Sequence, residues 1–277
     1  MLTTTAFVIL VIVMITQIVK LFRIRNITYE VEQIFFISAA LLLLLDFGHR
    51  TYRLAFPAVT NTYEALVVFS AILCGLLYLL ARRIPVTGED GDLADELRGD
   101  RVMLFIGSTI AFLLLALASS PLVPDSLVPP VPALRSYWLV AHVVLSFAGE
   151  AFFAVAFAAS LVYLAAGSGG KGATAVKTRA DRTAYVSILI GYVLFTIGAL
   201  VFGMIWAEQA WGSYWSWDPK ETWALVTWLT YTLYLHLRLV RGKKGKTASF
   251  LSVAGFLLTM FTFFGVNYLM TGLHSYV

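Results

Sequence analysis

Cysteine is almost missing from the chain: Cys74 is the single one in 277 residues. One thiol cannot supply a disulfide framework, a Cys-x-x-Cys redox pair or a thiolate metal cluster. Charge is scarce as well, at 13% of residues against about a quarter in an ordinary soluble domain. With 60% hydrophobic residues and a mean hydropathy of +0.82, a soluble core of this length could not hide the apolar surface. A soluble globular enzyme is thereby excluded. Histidine is limited to four positions, His49, His142, His236 and His274. No internal repeat of the solenoid or propeller kind is visible.

What the chain does have is apolar runs near ~20 residues, the length that crosses ~30 Å of hydrocarbon. They predict eight spans, at roughly 4–22, 31–52, 64–81, 102–120, 136–164, 184–206, 223–240 and 248–268. The expected fold class is an all-α integral membrane protein of about eight transmembrane helices, with residues 1–277 forming a single polytopic membrane domain. The first run is expected to be a span and not a cleaved signal peptide, because its basic residues (Lys20, Arg23, Arg25) follow the apolar stretch.

Counted on alternate sides of these spans, 16 of the 20 Lys and Arg residues fall on one side. The other side holds only Arg50, Arg53, Arg135 and Lys220. The positive-inside rule makes the first side cytoplasmic and turns both termini outward. The pI near 9.1 therefore reports orientation and not a nucleic-acid partner. Segments 85–100, 166–182 and 241–247 read as solvated cytoplasmic connectors. The outer segments 56–64, 121–135, 206–223 and 269–277 differ in character and are the better place for chemistry.

The densest signal is residues 206–223, an outer tryptophan-rich loop between spans six and seven. Trp206, Trp211, Trp215, Trp217 and Trp223 lie there with Tyr214. One reading is an aromatic belt at the headgroup level. The other is a platform for a large, flat, apolar ligand, on which indoles stack while their N–H groups keep polar partners. Trp211 and Trp215 share one face if helical. Gly212 permits close backbone approach, and Asp218-Pro219 suits the cap and first turn of the next helix. His142 lies about seven residues into span five, roughly 10 Å deep. His274 on the outer tail can reach the same region, and two imidazoles on opposite faces of a macrocycle would give bis-histidine haem ligation. His236 is nearer the cytoplasmic side. Intramembrane ionisable groups are functional candidates by default, which adds Glu150 and Asp46 with no assigned role. His49 reads best as structural.

Trp211-Gly-Ser-Tyr-Trp215-Ser-Trp217-Asp218-Pro219-Lys220-Glu221 resembles the WWD signature of haem-handling proteins in cytochrome c maturation. Three branches carry it, and the rest of the chain is most similar to CcsA (ResC). Asn61-Thr62-Tyr63-Glu64, the segment Pro132–Trp138 before His142, Tyr234-Leu235-His236 with Arg238, and Gly272-Leu273-His274-Ser275-Tyr276 each resemble a landmark of that branch, in order. The resemblance implies System II maturation, with a CcsB (ResB) partner and haem b as the ligand. His142 and His274 would be the outer axial ligands and His236 the transmembrane ligand. Haem would be joined to the Cys-x-x-Cys-His motif of apocytochrome c, making the complex a holocytochrome c synthase (haem lyase). Trp206, Trp211, Trp215, Trp217 and Asp218 would position the haem. Arg135 is the expected propionate partner, and Lys220 is expected to pair with Asp218 or Glu221. The expected location is the bacterial cytoplasmic membrane, or the thylakoid membrane, with the haem site outside. Two other readings stay open: a haem exporter or chaperone without ligation chemistry, as in the CcmC branch, and a b-type electron carrier that keeps its haem.

Overall fold

The computed structural model describes residues 1–22, 29–84, 91–167, 169 and 171–270. Its elements are α1 (Leu2–Phe22), α2 (Tyr29–Leu54), α3 (Thr62–Ala81), α4 (Gly91–Ala118), α5 (Tyr137–Ala165), α6 (Lys171–Phe195), α7 (Gly203–Trp211), α8 (Pro219–Leu239), α9 (Lys246–Met260) and α10 (Val266–Leu269). A 3₁₀ turn lies at Pro132–Leu134, and π-helical segments lie at Thr196–Phe202 and Phe261–Gly265. No strand occurs among the described residues.

Seven helical stretches among the described residues are long and apolar enough to cross a membrane. They match seven of the eight expected spans, and the protein is an all-helical integral membrane protein. The remaining expected span, 223–240, is also a helix, α8, 21 residues long. It falls below the others in apolarity because it carries Lys220, Glu221 and Arg238 with four threonines.

Two expected connectors are shorter than the sequence suggested. Segment 85–100 gives way to α4 from Gly91, and 166–182 gives way to α6 from Lys171. Alanine with long charged side chains is good helix-forming composition in water as well as in lipid. The run α6–π–α7 is continuous over 41 residues, Lys171–Trp211. At 1.5 Å per residue this is about 60 Å, so part of it must extend beyond a ~30 Å hydrocarbon core.

The helices group into two compact units, Met1–Pro129 with Ala165–Ala180, and Pro130–Leu164 with Asp181–Val277. In the first, α1–α4 pack as sequential neighbours, with α1 also against α4. Its polar groups close on one another. Arg50 reaches Glu64 at 3.4 Å and the carbonyls of Asp125 and Ser126 at 3.0 and 3.2 Å, and it lies over the Tyr63 ring. Asn61 caps α3 by accepting the Glu64 N–H, while Glu64 Oε2 accepts the Thr60 N–H. Asn61-Thr62-Tyr63-Glu64 is thus a helix cap and loop anchor. In the second unit, Arg238 grips Asp181 through two hydrogen bonds of 2.7 and 2.6 Å and covers the Tyr185 ring, fixing α8 to α6.

Candidate functional site

The site begins at a helix crossing within the second unit. A Cβ on Gly149 would stand 2.9 Å from Gly191 O, and one on Gly198 would stand 2.5 Å from Ser146 N. Only glycine lets the α5 and α6 backbones approach this closely. The first π segment starts at the same crossing. Within it, Gly198 O accepts the Gly203 N–H and also lies 2.9 Å from His142 Nδ1. A carbonyl can only accept, so His142 Nδ1 carries the hydrogen. A neutral His142 then holds its lone pair on Nε2, the form that binds a metal. The imidazole stacks on Trp206 with centroids 6.0 Å apart and planes 9° from parallel.

Trp206 is itself buried, with Leu134 and Leu139, and its indole N–H donates to Ala133 O at 3.0 Å. Trp211 packs against this cluster, edge-on to Trp206. Gly212, at φ +75°, ends α7 in the left-handed region and returns its N–H to Glu208 O. The chain then turns through 213–218 into α8. Asp218 is the N-cap, Pro219 occupies the first turn, and Asp218 Oδ2 accepts the Lys220 N–H at 3.0 Å. Glu221 Oε2 accepts the Ser216 and Asp218 N–H groups at 2.8 and 3.3 Å. Both carboxylates of the WWD stretch are therefore engaged in ordering the loop. Trp217 is 69% exposed, edge-on to Trp215, and sits at φ +60°, a region bulky residues rarely adopt.

These elements line a cavity with an open mouth. Helix α5 presents His142, Ser146 and Glu150 to it at four-residue steps, one polar stripe on an apolar helix. Phe147, Leu200, Met204 and Phe263 make much of the apolar wall. Both π segments contribute to the lining, through Ala199 and Leu200 and through Thr262 and Phe263. Trp206 and Trp215 line it, and Lys220 enters from α8.

The cavity brings together His142, Trp206, Trp215 and Glu150 of the residues singled out in the sequence. Trp211, Trp217, Asp218, Arg135 and His236 are not in its lining. Trp211 backs the wall and Asp218 is buried in the cap, whereas Arg135 is exposed. His236 is exposed on α8, sixteen residues beyond Lys220, about 24 Å along the helix. His49 is exposed on α2, and Asp46 accepts a 3.4 Å hydrogen bond from Tyr63. His274 lies outside the described residues.

Two features escaped sequence reasoning. The Gly198 carbonyl that tethers His142 depends on a π segment, which apolar periodicity does not announce. Lys220 sends its ammonium to Asn267 Oδ1 at 3.2 Å and not into an ion pair with Glu221. The available signal was that both nearby carboxylates sit where capping would occupy them.

Fold and site together define a polytopic helical membrane protein whose tryptophan-rich segment walls a histidine-bearing cavity. The sequence matches the family described as "Cytochrome C assembly protein" over residues 2–274. A protein named cytochrome c biogenesis protein CcsA from Synechococcus sp. (strain RCC307) is 34% identical over 297 aligned positions, covering 91% of this chain and 86% of that one. The protein of the same name from Synechococcus sp. (strain CC9605) is 36% identical over 253, covering 80% and 78%. The one from Chlamydomonas reinhardtii is 38% identical over 226, covering 80% of this chain but 61% of that longer protein. The chain belongs to the cytochrome c assembly protein family.

Proposed function

We propose that this protein works in cytochrome c maturation by holding haem b in the cavity beside His142. From there, with a CcsB (ResB) partner, it delivers the haem to the Cys-x-x-Cys-His motif of apocytochrome c. The observation that carries this reading is that the WWD segment and His142 meet in one apolar cavity, in a chain of this family. His142 has the tautomer an iron ligand needs, and Trp206 fixes its ring. His274 would supply the second axial ligand. The donor set fits the substrate: one imidazole, aromatic and aliphatic walls for the macrocycle, and a few polar groups for its edge.

The chemistry to be served is addition of two thiols across two vinyl groups. Each addition forms a C–S bond, and the thiol hydrogen ends on the neighbouring vinyl carbon, so no net electron acceptor is required. The protein's part is positioning. A macrocycle held at fixed depth and plane makes the encounter with the thiols nearly intramolecular. His142 sets the depth, Trp206 and Trp215 set the plane, and the Asp218–Glu221 cap keeps the loop in register. The apocytochrome's histidine would displace one axial ligand. His236 would hold haem at a separate transmembrane site, its second ligand coming from the partner. The positive-inside count supports a cavity at the outer face of the membrane, which would be a bacterial cytoplasmic or a thylakoid membrane.

The test is a pair of visible spectra, oxidised and reduced, of the purified chain with its CcsB-like partner. Wild type should give a low-spin bis-histidine spectrum that His142→Ala and His274→Ala alter, while His236→Ala removes a separate population. Covalent haem on a co-expressed apocytochrome establishes ligation. Haem bound but never attached makes the protein a carrier, and no haem bound overturns the proposal.

A further inference from the structure

We propose that Lys220 and Trp215, in the cavity that Glu150 also lines, form a carboxylate subsite: the Lys220 ammonium and the Trp215 indole N–H hold one propionate of the haem. This rests on the haem reading above, and the experiment below separates the two.

Lys220 has three donors, and the hydrogen bond its ammonium makes is to a neutral amide oxygen, Asn267 Oδ1. The carboxylates closest in sequence are already engaged, Asp218 by the Lys220 N–H and Glu221 by Ser216 and its own cap. Glu150 also lines the cavity; it is 6% exposed, and its Oε2 has no hydrogen-bond partner among the described residues. Glu150 and Lys220 interact electrostatically. The Trp215 indole N–H, also in the lining, is buried without a hydrogen-bond partner among the described residues. Open polar groups in a low-dielectric wall are costly in isolation. Here a cation, a donor and an acid are left open in one cavity whose remaining surface is mainly apolar. That pattern suits a flat apolar ligand carrying an acidic arm.

The experiment titrates the purified complex with iron protoporphyrin IX and with its dimethyl ester. Wild type, Lys220→Gln and Lys220→Arg are compared. Lys220→Gln should weaken binding of the diacid by about tenfold or more and of the ester by less than about twofold. Lys220→Arg should recover most of the loss. If Lys220→Gln weakens both porphyrins equally, the residue is structural and the subsite is overturned. A diacid affinity unchanged in Lys220→Gln overturns it too, while a His142-dependent spectrum in the same samples leaves the haem reading standing. Wild type that binds neither porphyrin sinks both.

Discussion

Charged groups are handled differently in the two units. In the first, Arg50 closes on Glu64, two backbone carbonyls and the Tyr63 ring, and Arg179 closes on Asp100 at 2.8 Å. In the second, Arg238 and Asp181 do the same at one end of α8, but Glu150 and Lys220 at the other face a cavity. A buried carboxylate oxygen without a hydrogen-bond partner among the described residues, near an ammonium hydrogen-bonded to a neutral amide, costs stability. A bundle keeps such groups where a ligand completes them. The first unit is accordingly read as scaffold and the second as the working part. The helices agree, since both π segments lie in the second, and such segments gather at functional sites.

This contrast can be broken by substitution. The largest effect belongs to Glu64→Ala, which leaves the buried Arg50 guanidinium without its carboxylate partner and should cost about 3–5 kcal/mol of stability. Thermal unfolding in detergent should show it, while the haem spectrum of the protein that remains folded keeps its wild-type shape. A changed spectrum would mean the first unit is no mere scaffold. Gly198→Ala should cost about 1–3 kcal/mol by forcing α5 from α6. Unlike Glu64→Ala it should also disturb the spectrum, because the His142 tether moves with it. Asp218→Ala removes one helix cap, worth about 1 kcal/mol, and should lower haem retention about fivefold through loss of loop order. Unchanged occupancy would contradict the role given to the cap. Arg135→Ala, on an exposed side chain outside the cavity lining, should leave affinity for iron protoporphyrin IX where it was. A loss there as large as that of Lys220→Gln would move the propionate partner back to Arg135.

Most of the fold was legible because spans are written in length and apolarity, and neither needs tertiary information. Residues 171–182 were read as a connector because charge marks exposure to water, and exposure is compatible with helix. In the site, the capping role of Asp218 followed from its place before Pro219, and Glu150 stood out as an ionisable group inside a span. The tether of His142 did not, because it depends on a carbonyl reached only across a glycine crossing. Nor did the hydrogen bond from Lys220 to Asn267, since proximity in sequence favoured Asp218 and Glu221, each of which gives one oxygen to backbone N–H groups of the cap.

The π segment Thr196–Phe202 has a consequence for ancestry and engineering. Such a segment is an α-helix carrying a surplus residue, so single-residue deletions between 196 and 202 are informative in a way point substitutions are not. Removing one would let the helix close into regular α geometry, and because the wide turn already absorbs the surplus residue, Trp206 and the rest of α7 would keep close to their present face. What would be lost is the reach of the Gly198 carbonyl to His142, which depends on the wide turn. The tether can therefore be erased by losing one codon while the span around it survives, and an ordinary membrane helix could have acquired it by gaining one.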